Sequence, residues 1–307
     1  MHFKKESVID IYKSLQNSLH QKSIVKFKVI NPDICKNCYA GKIIFLKDNT
    51  YIYRGYKNWL QLAELLECKM LTPKNLGDLV ELTFVQIENS SFHKNKNIDK
   101  YGVESEFSNI NKMQEASFVY YFVDALNRAN IYNRKRILNL GINRGDEFVE
   151  IKNLLKDNFF SKEFVGIDYS NSAIEIARKR LNYKNVKLFS NDINKIDVLN
   201  IGKFNCLISI GTLQSRSLNY KVLLMKLVQK YLLNDSAIIL GFPNCRWIGG
   251  EMIYGAKPPN YNFSEMSILY NDVMFAKKYL QQKKYRVTIT GREYIFLTAT
   301  KIRSALA

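Results

Sequence analysis

The stretch from Lys135 to Asp168 constrains this chain more than any other. Arg136-Ile137-Leu138-Asn139-Leu140 is an apolar run of strand length that passes directly into Gly141-Ile142-Asn143-Arg144-Gly145. A helix follows in the pattern. Asp146, Glu147 and Glu150 place acid in its first turn, where unpaired N–H groups favour negative charge, and Phe148, Val149, Ile151, Leu154 and Leu155 recur at roughly helical spacing. Phe164-Val165-Gly166-Ile167 reads as a second strand and ends on Asp168. Strand, glycine turn, helix, strand, acid is the order of a βαβ nucleotide-binding unit, in which residues without Cβ let the backbone approach a ligand above the strand ends.

Such a unit suits an adenosine-type ligand. A carboxylate at the tip of the second strand can accept hydrogen bonds from two vicinal ribose hydroxyls, and Asp168 is the residue placed to do so. The turn is not the dinucleotide fingerprint Gly-x-Gly-x-x-Gly, because position 143 is Asn and position 146 is Asp. It resembles the first motif of the class I S-adenosylmethionine-dependent methyltransferases, apolar-apolar-Asp-apolar-Gly-x-Gly-x-Gly, carried here by Ile137 to Gly145. Asn139 stands where that family has an acid, and Asn143 where it has the middle glycine.

The resemblance implies a doubly wound, seven-stranded, mostly parallel α/β sheet that binds S-adenosylmethionine. It implies cofactor contacts from Asn139, Gly141, Asn143 and Gly145 of the turn, and from Asp168 and Tyr169 after the second strand. The third strand, 185–189, ends at Ser190-Asn191-Asp192; by resemblance Asp192 meets the adenine amino group and Ile193 its ring, with Asn191 also in the expected cofactor set, whereas Asp and Asn there are also ordinary turn residues. The fourth strand, Phe204 to Ile210, exits through Gly211-Thr212-Leu213-Gln214-Ser215, so Ser209 and Gly211 complete the expected cofactor set. The exit is not the (Asp/Asn)-Pro-Pro-aromatic tetrapeptide of amino-methylating DNA enzymes.

After a fifth strand, 236–242, comes Pro243-Asn244-Cys245-Arg246-Trp247-Ile248-Gly249-Gly250-Glu251, a loop expected at the acceptor site. Arg246 is the candidate to hold an acceptor carboxylate or phosphate, and Glu251 to orient or deprotonate a nucleophile. The bland alternative pairs these two on the surface, with Trp247 plugging the core. A long helix over 266–281 and paired strands 286–290 and 294–301 complete the expected domain, 113–307. Helices are also expected over 114–131, 172–181 and 218–232.

Ahead of it, residues 1–88 read as a small α+β domain: a helix over 4–20, strands near 23–30, 42–46, 50–54 and 80–86, and a helix from Tyr56 to Cys68. Residues 89–112 are polar and read as a linker or mobile loop. Tyr51, Tyr53, Arg54, Tyr56, Lys57 and Trp59 are the candidate nucleic-acid surface outside the catalytic domain; the competing reading places the rings in a core.

Charge enters at this point. Lys and Arg number 46 against 28 Asp and Glu, a net +18. Residues 1–135 hold 20 against 14 and residues 136–307 hold 26 against 14, so +6 and +12 sum to that figure. Such a field favours RNA or another polyanion as partner, while a diffuse charge is also what a solvated lysine-rich surface looks like. A small-molecule acceptor stays open. The three histidines, His2, His20 and His93, all precede the methyltransferase-like half, which argues against histidine base catalysis there. Cys35-Lys36-Asn37-Cys38 has the spacing of half a zinc site or a redox pair, but a second pair of ligands is lacking, so no metal is expected and the thiols are expected reduced. No apolar run reaches the roughly 18 residues of a membrane span, which leads to the expectation of a cytoplasmic protein. An active methyltransferase is the leading expectation, with a degenerate RNA- or partner-binding module and a NAD-dependent oxidoreductase as alternatives.

Overall fold

A computed structural model describes residues 1–87, 110–215, 217–248, 250–256 and 268–302. The chain divides into two compact units, Met1–Ser90 and Ser91–Ala307. The expected linker lies almost wholly outside the described residues.

In the first unit, α1 (Val8–Leu19) starts where Ser7 Oγ accepts the Asp10 backbone N–H at 3.2 Å, and it buries Ile11, Leu15 and Leu19, four residues apart on one face. β1 (Ile24–Ile30) buries Val25, Phe27 and Val29 by strand alternation. The hairpin β2 (Ile43–Leu46) and β3 (Asn49–Ile52), helix α2 (Tyr56–Leu65), and strands β4 (Cys68–Met70), β5 (Lys74–Asn75) and β6 (Leu79–Gln86) follow. β6 pairs antiparallel with β1, Phe27 opposite Leu82, and also takes β4 and β5. The two short strands are absent from the sequence reading because two or three residues carry no measurable alternation.

The aromatic cluster belongs to this unit's interior. Tyr51, Tyr53, Arg54 and Trp59 are all buried. Trp59 Nε1 donates to Arg54 O at 3.1 Å, Tyr53 Oη to Pro32 O at 3.1 Å, and the Arg54 guanidinium lies 5.9 Å from the Trp59 ring centre. These rings are therefore not the nucleic-acid surface; Tyr51 and Tyr53, two apart, both point inward as strand alternation dictates. Cys35 and Cys38 are joined by a disulfide, which corrects the expectation of reduced thiols for this pair; Cys68, Cys206 and Cys245 are free and buried.

In the second unit the chain runs α3 (Ala116–Arg128), β7 (Arg136–Leu140), α4 (Asp146–Leu155), β8 (Glu163–Asp168), α5 (Asn171–Arg180), β9 (Val186–Ser190), β10 (Phe204–Ile210), α6 (Tyr220–Lys230) and β11 (Leu232–Pro243). The hairpin β12 (Cys245–Ile248) and β13 (Glu251–Tyr254), helix α7 (Met274–Gln282), and strands β14 (Tyr285–Gly291) and β15 (Tyr294–Lys301) complete it. Its seven-stranded sheet has the order β14-β15-β11-β10-β7-β8-β9. The five strands from β11 to β9 are parallel, and β15 runs antiparallel to its neighbours on both sides.

Both sheet faces are covered. Ile137, Phe164 and Ile208 pack with Phe118 and Phe122 of α3, Phe148 and Ile151 of α4 and Ile174 of α5. Leu138, Val165 and Leu207 pack on the other face with Leu223, Leu224 and Leu227 of α6 and Ala276 and Leu280 of α7. A strand buried on both faces must be apolar throughout, which is why Phe204–Ile210 has every residue buried. Each fully buried Leu or Ile contributes about 1.5–3 kcal/mol to this core. Chain order reverses at β7, which has β8 on one side and β10 on the other, so the sheet opens a crevice at the C-terminal end of β7. Among the described residues no helix is long and apolar enough to cross a membrane.

Candidate active site

The crevice is built from the glycine turn outward. Gly141, Asn143 and Gly145 all have positive φ, at 75°, 47° and 86°. Asn is one of the few L-residues that enters this region readily, so Asn143 does the conformational work of the expected middle glycine. Gly141 has a second reason to lack a side chain: a Cβ there would lie 1.8 Å from Thr212 Oγ1, on the exit of β10. Gly145 caps α4, and a Cβ on it would lie 2.6 Å from Leu181 Cδ1.

Asp168 is tied to this turn. Its Oδ2 accepts the Asn143 backbone N–H at 2.8 Å and its Oδ1 the Ser170 backbone N–H at 2.9 Å. Asn191 donates its backbone N–H to Asp168 O at 2.8 Å, which links the end of β9 to the same acid. Asp192 Oδ1 accepts from Asn194 N at 2.9 Å and starts a 3-10 turn over Ile193–Leu199, while Ile193 is buried beneath it. Tyr169 is largely exposed. Ser209 is buried in the sheet and donates to Leu140 O at 3.3 Å, a hydroxyl satisfied inside the core between β7 and β10. Gly211, with φ 72°, donates its N–H to Gly241 O at 2.8 Å.

Asn139, Gly141, Asn143, Gly145, Asp168, Asn191 and Asp192 thus gather around the C-terminal ends of β7, β8 and β9. Arg246 and Glu251 sit on the β12–β13 hairpin. The expected acceptor loop is that hairpin, with Arg246 opposite Ile253 and Ile248 opposite Glu251. Arg246 is buried, and its Nη1 donates to the carbonyls of Tyr254 at 3.1 Å and Gly255 at 3.2 Å, which fixes the hairpin's exit.

The residues fit S-adenosylmethionine. Asn139 is 1% exposed, and neither its Oδ1 nor its Nδ2 has a hydrogen-bond partner among the described residues. A buried amide left unpaired costs about 1–3 kcal/mol, so a ligand offering both a donor and an acceptor, as an α-amino acid group does, is what this position lacks. Asp168, held by two backbone donors beside the turn, is oriented for ribose hydroxyls.

Several site residues escape a reading of motifs. Glu147, in the first turn of α4, is buried, and burial pushes its carboxyl up to about 7 against the pull of the Lys112 ammonium. The Lys112 Nζ stands 5.4 Å from the Tyr294 ring centre and 6.0 Å from that of Phe118. Glu115, ahead of α3, has its pKa raised by burial and by the nearby carboxylates of Glu251 and Glu293. Ser117 Oγ donates to Glu293 Oε2 at 2.5 Å, and Asn244 N to Glu293 O at 2.7 Å. Burial holds the Cys245 thiol up at about 12, so it stays protonated at neutral pH. The only signal available for these residues was position: Glu293 sits in the turn before β15, which starts opposite the end of β11.

A doubly wound sheet in this order, with a glycine turn and a strand-tip acid facing its switch point, defines a class I S-adenosylmethionine-dependent methyltransferase, and S-adenosylmethionine is its cofactor. The sequence profile described as "Methyltransferase domain" matches residues 131–286, just over half of the chain. The chain belongs to that family.

Solved structures to which the chain is similar include a SAM-dependent methyltransferase from Aquifex aeolicus, at 16% identity and a TM-score of 0.44, matched over 64% of this chain and 98% of that one. The N-methyltransferase NodS from Bradyrhizobium japonicum WM9, in complex with S-adenosyl-L-homocysteine, aligns at 13% identity and a TM-score of 0.43 over 62% and 91% of the two chains. Coclaurine N-methyltransferase aligns at 19% identity and a TM-score of 0.33 over 40% of this chain, which spans only 35% of that longer protein. No curated protein matches the chain in sequence.

Proposed function

We propose that this methyltransferase acts on the nitrogen of a small amine-bearing molecule. The observation that carries the reading is the nearness of two further carboxylates, Glu251 and Glu293, to Glu115, with Glu293 in the turn before β15, which starts opposite the end of β11. Like charges at short range oppose a further anion, and a phosphate brought there would meet them. The expectation of an RNA acceptor came from the net charge of the whole chain; here Glu293 is already paired with Arg292 at 3.3 Å, and the raised carboxyl of Glu115 is what supports an amine acceptor.

When bound, the cofactor supplies a methyl group on a positively charged sulfur, open to in-line attack. The chain's own residues position and deprotonate. An amine arriving as ammonium must lose a proton before its lone pair can attack, and Glu115, whose pKa burial and its acidic neighbours raise, is suited to accept that proton. Glu251 helps hold the cation in place, while Ser117 and Arg292 fix Glu293 through its two carboxylate oxygens. Lys112 and Arg246 limit the excess of negative charge around Cys245.

The test is methyl transfer from labelled S-adenosylmethionine to a panel of primary and secondary amines, phenols, carboxylic acids and short RNAs. Label in amines, lost in Glu115→Gln, is expected. Label confined to RNA, phenols or carboxylic acids overturns the reading.

A further inference from the structure

The hairpin β2–β3 in the first unit presents an apolar face that no described residue covers. Side chains alternate along β2: Ile44 lies opposite the buried Tyr51, whereas Ile43 and Phe45, opposite Ile52 and Thr50, point the other way. Phe45 is 80% exposed and Tyr39, just ahead of the strand, 87%. Solvated rings of this size on a folded unit cost hydrophobic free energy and mark a contact surface when they cluster. Ile43 and Ile34 add exposed aliphatic area beside them.

Charge on this segment selects the partner. From Asp33 to Asp48 the chain carries Lys36, Lys42 and Lys47 against one acid at each end, Asp33 and Asp48, so cations outnumber acids by three to two. All three lysines are exposed, and the Lys47–Asp78 ion pair, at 3.2 Å with both side chains open to solvent, is too weakly held to withdraw that charge. The Cys35–Cys38 disulfide closes the loop leading into Tyr39, and Tyr39 O accepts the Lys42 backbone N–H at 3.2 Å. Both rings are therefore presented on ordered backbone, which reduces the entropy lost on binding.

We propose that this hairpin face binds single-stranded nucleic acid, its bases stacking on Tyr39 and Phe45 and its phosphates meeting Lys36, Lys42 and Lys47. Rings that stack on any base, interleaved with cations, make a sequence-tolerant surface of this kind. A purely apolar partner leaves the lysines unused, and a duplex hides the base faces that the rings would meet. The assignment is independent of the acceptor chemistry, since it concerns residues of the other unit. It moves the polyanion partner suggested by composition from the buried Tyr51–Trp59 cluster to the opposite face of the same hairpin.

The test is fluorescence anisotropy of the full-length protein with a labelled short single-stranded RNA at several salt concentrations. Binding that weakens with salt is expected, with Tyr39→Ser and Phe45→Ser each losing about tenfold in affinity. Lys42→Gln should reduce the slope of log affinity against log salt by about 0.7, the value for one phosphate contact on a single strand. Both rings are solvent-exposed, so the variants should keep the wild-type melting temperature and the wild-type affinity for S-adenosylhomocysteine. RNA affinity unchanged in both ring variants overturns the proposal. So does duplex competing as well as single strand, a ring-dependent dimer seen by sedimentation in place of RNA binding, or ring-dependent binding to phosphatidylserine vesicles without RNA binding.

Discussion

Asn143 donates its backbone N–H to Asp168 Oδ2 across 2.8 Å, so the glycine turn and the acid at the tip of β8 form one hydrogen-bonded unit. The acid shapes the turn, and its second expected action is to accept from the cofactor ribose. Asp168→Ala removes both actions. S-adenosylhomocysteine affinity, read by calorimetry, should fall by more than about tenfold, because hydrogen bonds to a charged group contribute about 1.5–3 kcal/mol. Asp168→Asn keeps an acceptor for the Asn143 amide and should lose less than Asp168→Ala. Equal affinity for wild type and the alanine variant would mean that the ribose does not sit against β8.

Asn143 departs from the family motif in residue type but not in backbone conformation. Its φ of 47° lies where Asn and Gly are tolerated and a β-branched residue is strained. Asn143→Gly should hold cofactor affinity within about threefold, a difference under 1 kcal/mol. Asn143→Val should lower stability by about 1–2 kcal/mol, the cost of a left-handed L-residue. Thermal melts of the two variants separate conformation from contact. If Gly and Val behave alike, the side chain of Asn143 matters for what it touches, not for the backbone it permits.

Gly141 tests how closely the exit of β10 presses on the turn. A methyl group there would overlap Thr212, so Gly141→Ala must push that side chain aside, and its φ of 75° adds strain that no repacking relieves. The double variant Gly141→Ala/Thr212→Ala should recover part, but not all, of the lost melting temperature. Strictly additive losses would show that the two residues do not couple.

The catalytic sheet was legible because burial on both faces leaves little freedom of composition. Phe204–Ile210 and Tyr294–Lys301 have the bounds expected from their apolar runs. β11 begins earlier than expected, at Leu232, because Leu233, Asn234 and Asp235 are exposed at its entry and read as loop. The hairpin of β12 and β13 was hidden for a related reason: Pro243 and the Gly249-Gly250 pair look like breakers, although a glycine pair is also what a tight reversal needs. The rings at 51–59 show the deeper limit. Composition counts aromatic and basic residues but does not say which side of a two-stranded ribbon meets a core. The cluster around Glu115 was illegible because Glu115, Glu251 and Glu293 come from three separate elements that only the tertiary fold brings together.

Glu147 links the same region to pH. Its carboxyl is buried and pushed up to about 7, chiefly by burial, with Lys112 pulling the other way and Asp146 and Asp168 adding like charge. In the unfolded chain it titrates near the ordinary value of about 4.3. Between those two values the folded state holds a proton that the unfolded state has lost, so the stabilisation is whole below about 4.3 and is lost as pH rises towards 7. Above that, the native state carries a buried carboxylate. Glu147→Gln keeps the size of the side chain and removes the titration, so the variant should lose less melting temperature than wild type between about pH 5 and pH 8. At the upper pH it should melt higher by about 2–4 °C for each kcal/mol of burial cost relieved. Parallel pH profiles for the two proteins would place the Glu147 carboxylate in contact with water or in a tight pair with Lys112 rather than buried in the first turn of α4.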